Sequence, residues 1–166
     1  MTIETKRLLL CPLSARQMRL WLSDLPALER EWDCHYEGEP VEGTFREIVQ
    51  QQWKITSMDE RNYLFHSFWL LLRKADRTVV GAADFKAPPN ARGEVEIGYG
   101  LGGAHERRGY MTEAVDALCD WALQRKDVES VLAETERKNR PSQNVLRRCR
   151  FVLEHEGSTL WWRRKK

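Results

Sequence analysis

No stretch of this 166-residue chain approaches the roughly 18 uninterrupted apolar residues that a membrane helix needs. Its opening, MTIETKRLLL, has neither a long apolar core nor a small-residue cleavage site, so no secretory signal is expected. Cysteine is scarce and dispersed: Cys11, Cys34, Cys119 and Cys149 stand far apart, with no C-x-x-C pair. That spacing argues against a zinc site and, without secretion, against a disulfide framework; a reducing cytoplasm is the expected compartment, with no metal and no membrane partner. His35, His66, His105 and His155 stand singly, and a lone histidine is more often structural than catalytic. No Walker loop, nucleophile elbow, repeat or low-complexity segment is present. No aromatic-interleaved basic motif argues for nucleic acid.

What is there suits one domain over residues 1–166. The hydrophobic content of 42% is ordinary, and seven tryptophans supply bulky core volume. The net charge of +2 hides an asymmetry. Residues 29–47 hold seven carboxylates (Glu29, Glu31, Asp33, Glu37, Glu39, Glu42, Glu47) against Arg30 and Arg46. Arg137 to Arg150 carries six basic residues and no acid, and the chain ends Arg163-Arg164-Lys165-Lys166. Such runs are usually solvated faces, but they also suit a domain that handles a polyanionic cofactor and a cationic substrate.

Hydrophobic periodicity orders the elements. RLLLCPL (7–13) reads as a strand, and Ser14 with Gln17 forms a capping box that opens a helix. Pro26–Glu31 adds a helical turn, and Thr44 with Glu47 suggests a second capping box for a helix through Ile48, Gln52 and Ile55. FWLLLR (68–73) and VVGAADF (79–85) form a hairpin, and EVEIGYGL (94–101) is a further strand with internal glycines, which mark close approach of another backbone or a ligand. Met111, Ala114, Val115, Leu118 and Trp121 recur at helical spacing. Val128–Thr135 is a strand, Asn139 caps a helix containing Pro141, and two strands around Gly157-Ser158 close the chain. Trp161-Trp162 is expected to alternate between surface and core. The order predicts an α+β fold, a mixed, mostly antiparallel sheet flanked by helices.

Chemistry concentrates in Gly102–Thr112, GGAHERRGYMT, between a strand and an amphipathic helix. The first N–H groups of a helix lack internal partners and carry partial positive charge. With Arg107, Arg108 and Gly109 at that turn, the segment suits a diphosphate cradle, although an ordinary helix start with two surface arginines would read the same.

The segment EIGYGLGGAHERRGYMTEAV resembles the acetyl-CoA-binding motif of GNAT acetyltransferases, and NRPSQNVLRRCRF resembles their second cofactor motif. TKRLLLCPLS and WLLLRKADRTVVGAADF resemble the subgroup that acetylates ribosomal-protein N-termini and small amines. The resemblance spans Glu4 to Phe151 and is weakest over residues 23–60. The sequence departs from the motifs in three places: Glu106 and Met111 stand at the ends of the first, and Arg150 replaces the glycine of the usual Gly-Phe pair.

This resemblance implies an N-acetyltransferase that moves acetyl from acetyl-CoA to a primary amine by direct attack in a ternary complex. A non-catalytic acyl-CoA-binding module is the alternative. It implies a diphosphate held by Arg107, Arg108, Gly109, Tyr110, Met111 and Thr112, and a thioester held between two strands by the N–H groups of Tyr99 and Leu101. Glu96 is the candidate base, with Glu94 as its alternate, and either carboxylate would also suit a solvent-facing strand position. Ser142 matches a hydroxyl that meets the thiol, and Asn139 a helix cap that also reaches the pantetheine arm. A tyrosine of the second motif is absent; Leu146 occupies its place. The acceptor is an amine, a small molecule or a protein N-terminus, and cationic if the acidic residues 29–47 line its cleft. The family reading leaves room for a homodimer.

Overall fold

Burial alternates along strand β2 (Leu8–Pro12), whereas β4 (Phe68–Arg73) and β5 (Thr78–Phe85) are buried on both faces. Central strands of that composition must be covered on two sides, and the computed structural model, which describes residues 1–166, covers them with helices. The remaining strands are β1 (Ile3–Glu4), β3 (His35–Tyr36), β6 (Glu94–Leu101), β7 (Ser130–Glu136), β8 (Val152–Glu156) and β9 (Thr159–Lys165). They run in the order β1-β2-β4-β5-β6-β7-β9-β8, with β3 beside the start of β5. Only β6–β7 and β3–β5 pair in parallel. The sheet is therefore mixed and mostly antiparallel, as the sequence predicts.

One face is packed by α5 (Tyr110–Leu123) and α6 (Arg140–Arg148), which bury Ala114, Val115, Leu118 and Leu146 against Leu10, Trp69, Phe85, Val131 and Trp162. At about 1.5–3 kcal/mol for each large apolar side chain removed from water, this interface supplies much of the driving force for folding. The other face carries α1 (Ala15–Ser23), α2 (Leu25–Trp32) and α3 (Gly43–Met58), whose Met18, Trp21, Leu28 and Val49 cover Phe68, Leu70, Leu72 and Ala82. A single turn, α4 (Tyr63–His66), leads into β4. On this second face the apolar cover reaches β5 and stops, so the same face of β6 lies at its margin.

Local signals mostly hold. Ser14 and Gln17 form the expected capping box, with Gln17 N–H donating to Ser14 Oγ at 3.1 Å and Ser14 N–H to Gln17 Oε1 at 2.9 Å. The Thr44–Glu47 box does not form: the helix cap falls two residues earlier, at Glu42, which makes no side-chain cap bond, and α3 begins at Gly43. Trp162 is core and donates its indole N–H to Thr135 at 3.0 Å, while Trp161 stays partly exposed.

Arg150 explains one departure from the family motif. It sits just past the α6 C-cap with φ of 69°, the left-handed region that favours glycine. Its N–H donates to Arg147 O at 3.1 Å and the Phe151 N–H to Leu146 O at 2.9 Å, a Schellman closure built without the usual glycine.

Candidate functional site

Strands β6 and β7 pair only over Glu94–Ser130, Val95–Val131 and Glu96–Leu132. Beyond Glu96, β6 stays with β5 through Leu101–Gly81, while β7 stays with β9 through Glu136–Thr159. The sheet is split between them. Lys86 N–H donates to Glu96 O, and Gly102 N–H to Val80 O, each at 2.9 Å. Backbone polarity alternates along a strand, so even-numbered groups of β6 face β5 and the N–H groups of Tyr99 and Leu101 face the split.

The start of α5 lies just past the end of β6. Gly109 caps the helix with φ of 80°, preceded by Arg107 with φ of 64°. The first helical bond from this cap runs from Glu113 N–H to Gly109 O, so the N–H groups of Tyr110, Met111 and Thr112 precede the ladder. The side chains of Tyr110 and Met111 are buried in the core, which leaves their backbone groups to serve a ligand, while Arg107 and Arg108 are exposed. Three N–H donors, two arginine side chains and a cap that accepts no Cβ without strain fit a diphosphate.

Sequence reasoning missed Arg7. Its guanidinium lies 4.4 Å over the Tyr110 ring, donates to Arg108 O at 2.9 Å and pairs with Glu113 at 2.8 Å. It ties the loop to the first strands, and only the opening RLLL hinted at it. His105 Nε2 lies 2.7 Å from Glu37 Oε1, joining the loop before α5 to the segment after β3.

Across the split, the Tyr99 hydroxyl lies 2.7 Å from Ser142 Oγ, and Asn139 Oδ1 accepts the Ser142 N–H at 3.2 Å. Leu146 is fully buried in the core, so nothing at that position meets a thiol. Tyr99 thus brings a phenol to Ser142 from β6, which no local pattern announced.

Glu96, Gly98 and Gly100 turn to the opposite face, beside Asp84 and Lys86 of the neighbouring strand and its exit. Burial raises the Glu96 carboxyl above its ordinary range, with Lys86 partly offsetting it. Glu94 differs: hydrogen bonds from Asn90 and Arg163, the latter an ion pair at 2.7 Å, hold its carboxyl low. A base must be free to accept a proton, which favours Glu96 over Glu94.

Asp84 was not singled out from the sequence. It is 3% exposed, Oδ2 has no hydrogen-bond partner, and burial raises its carboxyl, again partly offset by Lys86. A Cβ on Gly98 would lie 2.8 Å from Asp84 Oδ1 and 2.9 Å from Lys86 Nζ, so only glycine leaves both groups room there. Asp84 lines a pocket of about 150 Å³ with Tyr36, Glu39, Phe45, Phe68 and Lys86. Of the acidic stretch, Glu39 reaches this pocket, whereas Glu29, Glu31 and Glu37 engage Tyr36 N–H, Arg16 and His105. A larger cavity, about 560 Å³, lies between the first strands and α1–α2 beside Met1, Cys11, Glu31 and Arg77. Its Glu31 and Arg77 are already paired, to Arg16 and to the backbone of Trp32 and Asp33.

A family model described as an acetyltransferase (GNAT) domain matches residues 7–152. The chain belongs to the GNAT acetyltransferase family. It is 29% identical to the uncharacterized N-acetyltransferase YjdG of Bacillus subtilis (strain 168), over 88% of this chain and 92% of that one. The fold is shared with a ribosomal L7/L12 alpha-N-protein acetyltransferase, RimL, in complex with coenzyme A (TM-score 0.72, 17% identity, 99% of this chain and 98% of that one). It is likewise shared with the ribosomal-protein-S5-alanine acetyltransferase of Vibrio fischeri (TM-score 0.72, 16% identity, 99% and 96%). At these identities the two structures speak for the fold alone. The protein is thus an acyltransferase of the N-acetyltransferase class, in a family that uses acetyl-CoA as its donor.

Proposed function

We propose that this GNAT enzyme acetylates a primary amine by direct attack, the amine entering on the Glu96–Asp84 face and the donor lying in the β6–β7 split. The observation that carries the reading is the split itself: the inward N–H groups of Tyr99 and Leu101 open toward a helix start with three further donors. Bound there, acetyl-CoA supplies an acetyl thioester. The α5 N-terminus with Arg107, Arg108, Gly109, Tyr110, Met111 and Thr112 holds its diphosphate, and Asn139 the pantetheine arm. The N–H groups of Tyr99 and Leu101 polarise the acyl carbonyl, the same use of fixed donors that makes an oxyanion hole effective.

The acceptor arrives mostly as an ammonium ion, because a free alkyl amine has a pKa of about 10. Glu96 takes up its proton, directly or through one water, and its burial-raised carboxyl is better matched to that task than an ordinary one. Ser142, backed by the Tyr99 hydroxyl, donates a hydrogen bond to the departing thiolate. The acceptor is a small cationic amine or a protein N-terminus. One protein that shares the fold is an alpha-N-protein acetyltransferase of ribosomal L7/L12, which is in line with the second choice, whereas the small aromatic pocket supports the first.

Thiol release from acetyl-CoA, measured across a panel of cationic and neutral amines, tests this reading. Saturable, amine-dependent release is expected. Tight acetyl-CoA binding without release for any amine would instead leave the chain as an acyl-CoA-binding module.

A further inference from the structure

A buried carboxylate that finds no partner inside the protein is expensive to keep ionised, and a ligand that pairs with it recovers that cost. Asp84 is such a group: 3% exposed, Oδ2 unpartnered, and part of the wall of a pocket of about 150 Å³. The other walls decide the sign of the ligand. Tyr36, Phe45 and Phe68 present aromatic rings, and Glu39 adds a second carboxylate. Aromatic faces attract cations, and two carboxylates repel anions. Lys86 is the one cation on the wall, and it is exposed. Its ammonium stands near Asp84 over Gly98 and offsets part of the burial cost without a hydrogen bond between the two, so the two carboxylates still outnumber it.

The walls are also held in place. Trp21, 2% exposed, meets Tyr36, Phe45 and Phe68 edge-on, with ring centres 6.0, 5.7 and 5.4 Å away. Phe45 and Phe68 meet each other at 5.8 Å. A site fixed by a rigid aromatic cluster loses little entropy when a ligand enters. On the β6 side, Gly98 leaves the space in which Asp84 Oδ1 and the Lys86 ammonium stand next to each other.

We propose that this pocket is an ammonium subsite in which Asp84 pairs with the cationic end of a compact alkylammonium ion, walled by Tyr36, Phe45 and Phe68. Cavities of this size hold a benzene-sized molecule, so a primary alkylamine of about three to five carbons fills it. The inference rests on the reading of an amine acceptor and narrows it to the small-amine class. Asp84 is a binding residue here; the proton acceptor remains Glu96.

The test is calorimetric titration of propylammonium chloride into the full chain, with propan-1-ol as the neutral counterpart of the same shape. Saturable binding of the cation, at least tenfold tighter than any binding of the alcohol, is expected. Asp84→Asn should weaken propylammonium binding tenfold or more. Phe45→Leu, which changes a wall without touching the carboxylate, should weaken it severalfold and keeps the test open if the first variant misfolds. No saturable propylammonium binding to the wild-type protein, or equal affinity in a folded Asp84→Asn variant, overturns the subsite. Thiol release from acetyl-CoA with propylamine is followed in parallel. Release whose KM is the same in Asp84→Asn sinks the subsite and spares the acetyltransfer reading. Tight propylammonium binding with no release for any amine supports the subsite and sinks that reading.

Discussion

The Tyr99 hydroxyl lies 2.7 Å from Ser142 Oγ, bridging β6 to the start of α6 across the mouth of the split sheet. One of the two oxygens must donate to the other, which leaves one hydroxyl hydrogen or lone pair for a third group. A departing thiolate is the group the proposed chemistry offers. Ser142→Ala is expected to lower kcat about tenfold with little change in the KM for acetyl-CoA, because the bond matters most as charge builds on sulfur. Tyr99→Phe should lower it less. The double variant should fall well short of the product of the two losses, since both act through one interaction. Steady-state kinetics on the four proteins decide this, and fully multiplicative effects would separate the two hydroxyls.

Gly109→Val places a β-branched side chain at a φ of 80° and beside the Arg7 guanidinium. The residue must leave the left-handed region or carry the strain, and either way the first N–H groups of α5 are re-aimed. Acetyl-CoA affinity should fall at least tenfold by calorimetry, with the far-ultraviolet spectrum retained. Unchanged affinity would move the diphosphate elsewhere.

The Glu96 prediction turns on pH. Glu96→Gln should leave acetyl-CoA affinity unchanged and lower kcat/KM for an alkyl amine by about tenfold or more near neutrality, where the acceptor is mostly protonated. The gap should narrow as pH climbs toward about 10, where free amine no longer limits the rate. A variant that matches the wild type at every pH would hand the role to another group.

These site assignments were unevenly legible in the sequence. Strand–loop–helix order, the Ser14 cap and the Arg107–Gly109 turn are encoded locally, in spacings of three or four residues, and the structure keeps them. Asp84 and Arg7 are not encoded that way. Asp84 sits in the apolar run VVGAADF, where one acid reads as a strand terminus, and its surroundings come from residues distant in sequence, Tyr36, Phe45 and Phe68 among them. The hydroxyl pair of Tyr99 and Ser142 joins residues 43 apart in sequence. The Thr44–Glu47 box failed for the opposite reason: the local pattern was sound, but the cap of α3 falls two residues before it.

Arg150 yields a prediction about stability alone. Glycine should relieve its left-handed backbone, an effect of about 1 kcal/mol for a non-glycine residue, while the lost ion pairs to Asp116 and Asp120, at 3.3 and 3.5 Å, are exposed and worth little. Arg150→Gly is therefore expected to raise Tm by about 2–4 °C. A fall in Tm would mean that those surface pairs outweigh the backbone term.

Asp84 carries a stability cost that should depend on pH. Its folded carboxyl is raised by burial, so the native state holds this proton at pH values where the unfolded chain has released it. Stability follows the difference in bound protons between unfolded and native states, and here the native state binds more. The contribution of Asp84 therefore declines as pH rises from the ordinary aspartate range through its raised folded value, and stays unfavourable above it. Glu96, on the same face, is raised in the same direction, while Lys86 moderates both. Asp84→Asn keeps the shape and removes the charge. It should match the wild type most closely in acid and exceed it near neutrality, by about 1 kcal/mol or more given the usual penalty for an unsatisfied buried polar group. Thermal melts of the two proteins between pH 4 and 8 measure that gap directly. A gap that stays constant over that range would mean that folding does not raise the Asp84 carboxyl, and one that closes as pH rises would mean that folding lowers it. Adding propylammonium at neutral pH should narrow the gap from the wild-type side, because a ligand that binds only the folded, charged form stabilises it by mass action.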